Sequence, residues 1–248
     1  MPTPSFVVDR LWPDPAFDLD LDAVFADRTL PTAPVGRPFV GVNMVTSIDG
    51  RAQVGGTAEG LGSRADRRLM RLLRVPYDAV GSGAGTLRAS GLWLGLPPGL
   101  AERRAARGLP PQAQVLIAGR SPVPLEARWF SDDARRLLFV GADNPMSQPP
   151  ATELLRAPTA VPEPHWVLEQ LLGRGIGSLL LEGGPTTNAA FLAADAIDEL
   201  CWTIGPRLLA NDALPMIGAT VAPPREGRLV SIYRHGDELF LRYRFTSR

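Results

Sequence analysis

Residues 179–188 read Leu-Leu-Leu-Glu-Gly-Gly-Pro-Thr-Thr-Asn, and residues 43–50 read Asn-Met-Val-Thr-Ser-Ile-Asp-Gly; both are apolar runs that end in a glycine turn. Around the first, Ser178 to Leu181 has the unbroken apolar character of a strand buried on both faces. Glu182-Gly183-Gly184-Pro185 then turns the chain into a helical pattern from Thr186 to Ala194. Proline suits the first helical position, where its missing N–H would have had no partner anyway. Two glycines let the backbone come close to a ligand, and the unpaired amides of a helix start favour an anion. The turn is therefore a candidate phosphate site, although the same residues also serve simply to join a strand to a helix.

Working outward, strand-like and helix-like runs alternate from Arg37 onward. Phe39 to Ile48 is followed by Ser63 to Arg74, Ala79 to Ser82, Leu100 to Arg107, Val115 to Ala118, Leu137 to Val140, His165 to Leu172 and Ser178 to Leu181. This rhythm predicts an α/β domain with a largely parallel sheet. After Ala194 the helices stop: Glu199 to Ile204, Leu229 to Tyr233 and Leu239 to Phe245 read as antiparallel strands added to an edge. The proline-rich stretch from Asn144 to Pro164 reads as an irregular connection with one short strand. Residues 1–36 read as an irregular arm, with one short helix in the acidic-apolar segment Asp18 to Asp27.

Composition excludes several chemistries. The 26 basic and 26 acidic residues cancel, which gives no electrostatic footprint for nucleic acid or a membrane surface. Every cation is arginine; without lysine, Schiff-base chemistry and a P-loop lysine are excluded. The single cysteine, Cys201, rules out an internal disulfide and fits a reducing cytoplasm, and its apolar neighbours predict a buried, inert thiol. His165 and His235 lie far apart and lack ligand spacing, so no metal site is expected. There is no basic-then-apolar leader and no run near about 18 apolar residues, so a soluble, untargeted chain is expected.

The helix from Ser63 shows how local signals combine. Ser63 is a plausible N-cap with Asp66 three residues later, close to a capping box. Ala65, Leu69, Leu72 and Leu73 share one face, whereas Arg64, Arg67, Arg68 and Arg71 share the opposite one and read as solvated. Arg74 stands at the edge of the apolar stripe, where it could contact a phosphate or carboxylate. Four strand ends carry glycine beside a polar group: Ser47-Ile48-Asp49-Gly50, Gly81-Ser82-Gly83-Ala84-Gly85-Thr86, Gly119-Arg120-Ser121 and the Gly183–Gly184 turn. In open α/β sheets such ends hold ligands, and an arginine beside a serine could take the 2′-phosphate of NADPH. The spacing is not that of the dinucleotide fingerprint.

Arg37-Pro38-Phe39 through Gly50, Gly83 to Ala89, and Leu181-Glu182-Gly183-Gly184-Pro185-Thr186 followed by Ala196-Ile197-Asp198-Glu199-Leu200 together resemble the reductase domain of bacterial riboflavin biosynthesis. This pyrimidine reductase family is related in fold to dihydrofolate reductase, and the resemblance spans residues 37 to 246. It implies a three-layer dihydrofolate reductase-like α/β fold: a mostly parallel central sheet, antiparallel C-terminal strands and helices on both faces. Residues 37–248 would then form one standalone reductase domain. The implied reaction reduces 5-amino-6-(5-phosphoribosylamino)uracil to its ribitylamino product with hydride from NADPH, in a homodimer. Two alternatives stay open: a same-fold reductase of another heterocycle such as a dihydropterin, and a non-catalytic NADPH or flavin-intermediate binding protein.

Carried over residue by residue, the resemblance places Val45 and Thr46 beside the nicotinamide and Thr86, Ser90 and Gly83 against NADPH. Gly119 and Arg120 would lie at the adenosine end. Gly183, Gly184, Pro185, Thr186, Thr187 and Asn188 would receive the pyrophosphate. Asn43, Arg74 and Glu182 would face the substrate. Asp49 would orient the ribose or relay a proton, or else act as a structural turn carboxylate; Asp49 and Glu182 are the catalytic candidates. This chain departs from the family at Ala58, where a substrate-binding serine is expected, at Gly60, where an aromatic residue meets the cofactor, and at Ser90, where an acid follows the Thr86 turn.

Overall fold

The structure is a computed structural model that describes residues 5–26, 28–210 and 213–246. Its strands are β1 (Val7–Trp12), β2 (Ala16–Asp20), β3 (Phe39–Thr46), β4 (Ala79–Gly83), β5 (Ala113–Ala118), β6 (Arg136–Val140), β7 (Thr152–Arg156), β8 (Ser178–Leu181), β9 (Glu199–Ile204), β10 (Gly227–His235) and β11 (Glu238–Phe245). The helices are α1 (Leu21–Ala26), α2 (Arg64–Arg74), α3 (Ala84–Ser90), α4 (Pro98–Ala106), α5 (Pro164–Leu172) and α6 (Pro185–Ala193), with one 3₁₀ turn at Arg128–Phe130.

All strands join one sheet in the order β2-β1-β10-β11-β9-β3-β8-β4-β5-β6-β7. From β9 to β7 each neighbour is parallel. The chain leaves β3 for β4 and skips one place, which β8 fills later. Chain direction across the sheet thus changes at β3, β8 and β4, where such sheets open a crevice at their C-terminal edges. Leu69, Leu72, Leu87, Leu100 and Trp129 pack on one face; Val167, Leu168, Leu171 and Phe191 pack on the other. The result is the expected three layers. No helix among the described residues is long and apolar enough to cross a membrane.

Three readings of the sequence change. Residues 7–20 are not irregular: β1 pairs with β10 and β2 closes the edge, and these strands were overlooked because Val7–Trp12 has little clean alternation. The helix expected within Asp18–Asp27 is α1, with Asp27 itself outside the described residues. β9 is parallel to β3, not antiparallel, because α6 carries the chain back across the sheet before it starts. β10 and β11 are antiparallel as expected but lie inside the sheet, with the N-terminal hairpin outside them. The short strand expected between Asn144 and Pro164 is β7.

Asp198 fixes the start of β3. Its carboxylate accepts two bonds from Arg37 at 2.7 Å each and one from the Val40 amide at 2.8 Å. Glu199 beside it is buried against Arg28, with Arg244 at 3.5 Å. Cys201 is buried, and burial pushes its thiol up to about 12, which keeps it an unreactive SH group.

Within β3, Gly41 lies against the hydroxyl end of Tyr77. A methyl group there would meet the Tyr77 hydroxyl, with ring carbon Cζ at 2.8 Å. Gly41→Ala is expected to lower stability by about 1–3 kcal/mol through overpacking. Adding Tyr77→Phe should recover part of that loss, read as urea midpoints of the two variants against the single Tyr77→Phe protein.

Candidate functional site

A cleft of about 510 Å³ opens at the C-terminal ends of β3, β8 and β4. That size suits a drug-sized or cofactor-sized ligand, for which pockets run roughly 300–1,000 Å³. Its walls come from the segment 52–58, α2, α3, the loop around Trp93, the 3₁₀ turn and the start of α6.

The α6 wall depends on the glycine turn. Ser82 Oγ and the Gly83 amide both donate to the Gly183 carbonyl, at 3.0 and 2.8 Å, so β4 holds the turn from the side. Gly183 has φ +86°, a left-handed conformation that suits glycine. The N-cap is Gly184, which has no side chain to cap the helix, and Pro185 has no N–H. The Thr186 and Thr187 amides, in the first turn, have no intrahelical acceptor and border the cleft. A Cβ on Gly184 would come within 2.8 Å of Thr86 Oγ1. A side chain there would have to displace the Thr86 hydroxyl and would intrude on the helix start.

Another wall of the cleft is built on a buried ion pair. Arg74 Nε and Nη2 donate to the two Glu182 oxygens at 2.7 and 2.6 Å, while Nη1 and Nη2 also donate to the carbonyls of Gly95 and Trp93. Both side chains are nearly fully buried yet border the cleft. Ser63 caps α2 as expected, accepting from the Ala65 and Asp66 amides, but the reciprocal half of the capping box is missing. The Ser63 amide instead donates to Glu238, and Asp66 is turned against Gly62 beneath the cleft. Burial chiefly, with the nearby Glu238 and Glu182 charges, raises the Asp66 carboxyl to about 6 against the opposing bond from Thr203.

Of the residues singled out from sequence, Asn43, Val45, Ala58, Arg74, Gly83, Thr86, Ser90, Glu182, Gly184, Pro185, Thr186 and Thr187 come together around the cleft. Others do not. Thr46 is buried away from it, its hydroxyl donating to the Ser47 carbonyl and accepting from the Trp202 indole at 2.8 Å. Asn188 faces the opposite layer, where its amide donates to the Met216 carbonyl, because one helical turn carries it past the cleft. Gly60 is beside Arg207, and Gly183 lies behind the wall its own carbonyl anchors. The Gly119–Ser121 loop is outside the cleft, tied back by the Asn144 side chain. Arg74 is no open phosphate ligand, since Glu182 and two carbonyls take four of its five N–H donors.

Asp49 also falls outside. Its oxygens accept from Ser47 Oγ at 2.7 Å and from the Leu209 and Ala210 amides, which holds the carboxyl down at about 2. Of the two roles considered, the geometry supports the turn carboxylate. Sequence reading missed Asp66, Met70, Trp93 and Leu214, and assigned Arg71 to solvent although it borders the cleft. Arg68 on the supposedly solvated face pairs with Asp22 of α1. Among the described residues no group of three or more His, Cys, Asp or Glu side chains is placed to hold a metal.

A family model for the RibD C-terminal domain matches residues 38–241. The chain belongs to that family. It is 33% identical over 178 residues to riboflavin biosynthesis protein RibD of Mycobacterium tuberculosis, covering 71% of this chain and 44% of that protein. The chain thus spans less than half of that relative. It is 27% identical to the 2,5-diamino-6-ribosylamino-4(3H)-pyrimidinone 5′-phosphate reductase of Archaeoglobus fulgidus, over 85% of this chain and 99% of that one. Its fold matches a pyrimidine reductase-like protein of Corynebacterium diphtheriae with TM-score 0.74 at 21% identity, covering 91% of this chain and 98% of the other.

The raised Asp66 carboxyl has a definite consequence for stability. Between about pH 4 and about 6 the unfolded chain has lost this proton while the folded one still holds it, so stability falls as pH rises and levels off above. A shift of this size corresponds to roughly 3 kcal/mol. Asp66→Asn should therefore gain stability relative to the parent as pH is raised from 4 to 7, measured by urea unfolding; a pH-independent difference would remove the assignment.

Proposed function

We propose that the chain is an NADPH-dependent reductase of a phosphoribosylamino-pyrimidine, 5-amino-6-(5-phosphoribosylamino)uracil, yielding the ribitylamino product on the riboflavin route. The observation that carries this reading is the meeting in one cleft of a free helix start on α6 and the buried Arg74–Glu182 pair beside it. Family membership and the names of the relatives agree with it.

The α6 start forms a cradle that fits a dinucleotide pyrophosphate. Gly184 leaves room for backbone approach, and the Thr186 and Thr187 amides present free donors at the positive end of a helix. Val45, at the end of β3, offers an apolar surface for a nicotinamide, and Thr86 and Ser90 line the route between. When bound, the nicotinamide supplies the hydride. The remaining work belongs to the protein. Arg74 holds the Glu182 carboxylate rigidly at the cleft wall, where it can accept hydrogen bonds from the pyrimidine's N–H groups. Asn43 adds a neutral amide on the neighbouring strand end. Reduction of an imine carbon also requires a proton at the nitrogen, and Asp66 is the carboxyl at the cleft whose burial favours the protonated form.

The purified protein is expected to oxidise NADPH, followed at 340 nm, with the deaminated phosphoribosylamino-pyrimidine and not with dihydrofolate. Oxidation with dihydrofolate alone would replace this substrate with a pterin; binding of NADPH without turnover on either would make the chain a binding protein. Gly184→Val should abolish NADPH binding, read by quenching of protein fluorescence. Glu182→Gln should lower kcat/KM for the pyrimidine about a hundredfold or more, the loss expected when a charged hydrogen bond in a buried site is removed, while NADPH affinity stays within a few-fold.

A further inference from the structure

The cleft's cations divide into two kinds. Arg74 is largely committed: a carboxylate and two carbonyls take four of its five N–H donors. Arg71, one turn earlier on α2, and Arg128, on the 3₁₀ turn, also border the cleft but have no carboxylate within ion-pair distance among the described residues. Arg128 lies over the face of Trp93 at 5.1 Å, and the Trp93 indole donates to Asp132 at 3.0 Å, so an aromatic plane anchored from below positions the guanidinium. Around Arg71 the charge is unbalanced. Its own pKa is lowered first by burial and then by the guanidiniums of Arg74, Arg68, Arg67 and Arg128, with no carboxylate opposing them. A half-buried arginine among like charges is a site that an anion would relieve.

We propose that Arg71 and Arg128 form a phosphomonoester subsite that takes the 5′-phosphate of the substrate's ribose arm. Two planar guanidinium forks suit a phosphate dianion, which accepts several charge-assisted bonds at once. Location separates this subsite from the cofactor cradle. α2 and the 3₁₀ turn pack on one face of the sheet and α6 on the other, with Glu182 between them. A ligand with its pyrimidine at Glu182 can then extend its phosphate toward Arg71 and Arg128 without competing for the α6 amides. The proposal assigns to this pair the bidentate phosphate contact that Arg74, with four of its five N–H donors already bonded, is not free to make. It rests on the phosphoribosyl-pyrimidine reading of the cleft.

The same chemistry could come from the 2′-phosphate of NADPH, and the test separates the two sources. Ribose 5-phosphate and ribose are titrated calorimetrically into the full chain with NADP⁺ present, and NADPH and NADH are titrated separately. Parent protein should bind ribose 5-phosphate and not ribose. Arg71→Gln and Arg128→Gln should each weaken ribose 5-phosphate about tenfold or more, as loss of one charge-assisted contact does, and leave NADPH within twofold. Arg64→Gln, an exposed change on the same helix, should match the parent. Unchanged ribose 5-phosphate affinity in both variants, or none in the parent, overturns the proposal. So does a fall of NADPH affinity to that of NADH, which would give the pair to the cofactor. Because the titration needs no turnover, a chain that binds ribose 5-phosphate through this pair yet fails to oxidise NADPH with the pyrimidine would overturn the reductase reading and leave the subsite standing.

Discussion

The Arg74–Glu182 pair ties together the parts that make the cleft. Arg74 is the last residue of α2, and Glu182 is the first residue after β8, so the two bonds between them lock a helix on one face to a central strand. The next residues after Glu182 are the glycine turn, which has its own tie, the Ser82 hydroxyl and Gly83 amide on the Gly183 carbonyl. The remaining Arg74 donors hold the Trp93 and Gly95 carbonyls and so place the loop under Arg128. Desolvating two charges costs several kcal/mol, and this geometry offsets that cost with bidentate bonds and two further bonds from Arg74 to carbonyls. Losing one partner would leave a buried charge unpaired at a cost of about 3–5 kcal/mol.

Much of the α/β frame was legible because its signals are local. Leu179, Leu180 and Leu181 are fully buried in the order the sequence implies, and the proline after Gly184 starts a helix as its fixed φ requires. The N-cap at Ser63 was likewise visible. What escaped was non-local. Whether Glu199–Ile204 runs parallel or antiparallel depends on where α6 delivers the chain, and nothing within those six residues records it. The N-terminal hairpin stayed hidden for the same reason: β1 is specified by its pairing with β10, more than two hundred residues away.

The site divides along the same line. The backbone part, a glycine turn and a helix start, is written in consecutive residues and was found. The side-chain part was confused because sequence gives residue type without direction. Asp49 and Asp66 are the clear pair. Asp49 follows a strand end and looks exposed to a ligand, yet its turn and the Leu209–Ala210 amides take its oxygens. Asp66 reads as the acid of a capping box, yet Glu238 takes the Ser63 amide and leaves the Asp66 carboxyl buried at the cleft. A residue on β11, two places from β3 in the sheet, thus decides the role of a residue in the first turn of α2.

The absence of lysine sharpens this problem, since arginine must fill every cationic role. Arg104 donates to the carbonyls of Val75, Tyr77 and Pro110 and acts as a strut between loops; Arg156 does the same for Asn144 and Met146. Arg37 and Arg68 are ion-pair partners of Asp198 and Asp22. Residue type cannot separate these from a ligand-binding arginine, and helical face does not either, because Arg68 and Arg71 share a face and have different fates. Donor saturation does separate them. A guanidinium whose N–H groups end on carboxylates and carbonyls is part of the frame, whereas one that reaches the cleft with its donors unspent is available to an anion, and by that measure Arg71 and Arg128, rather than Arg74, are the cations left for a ligand.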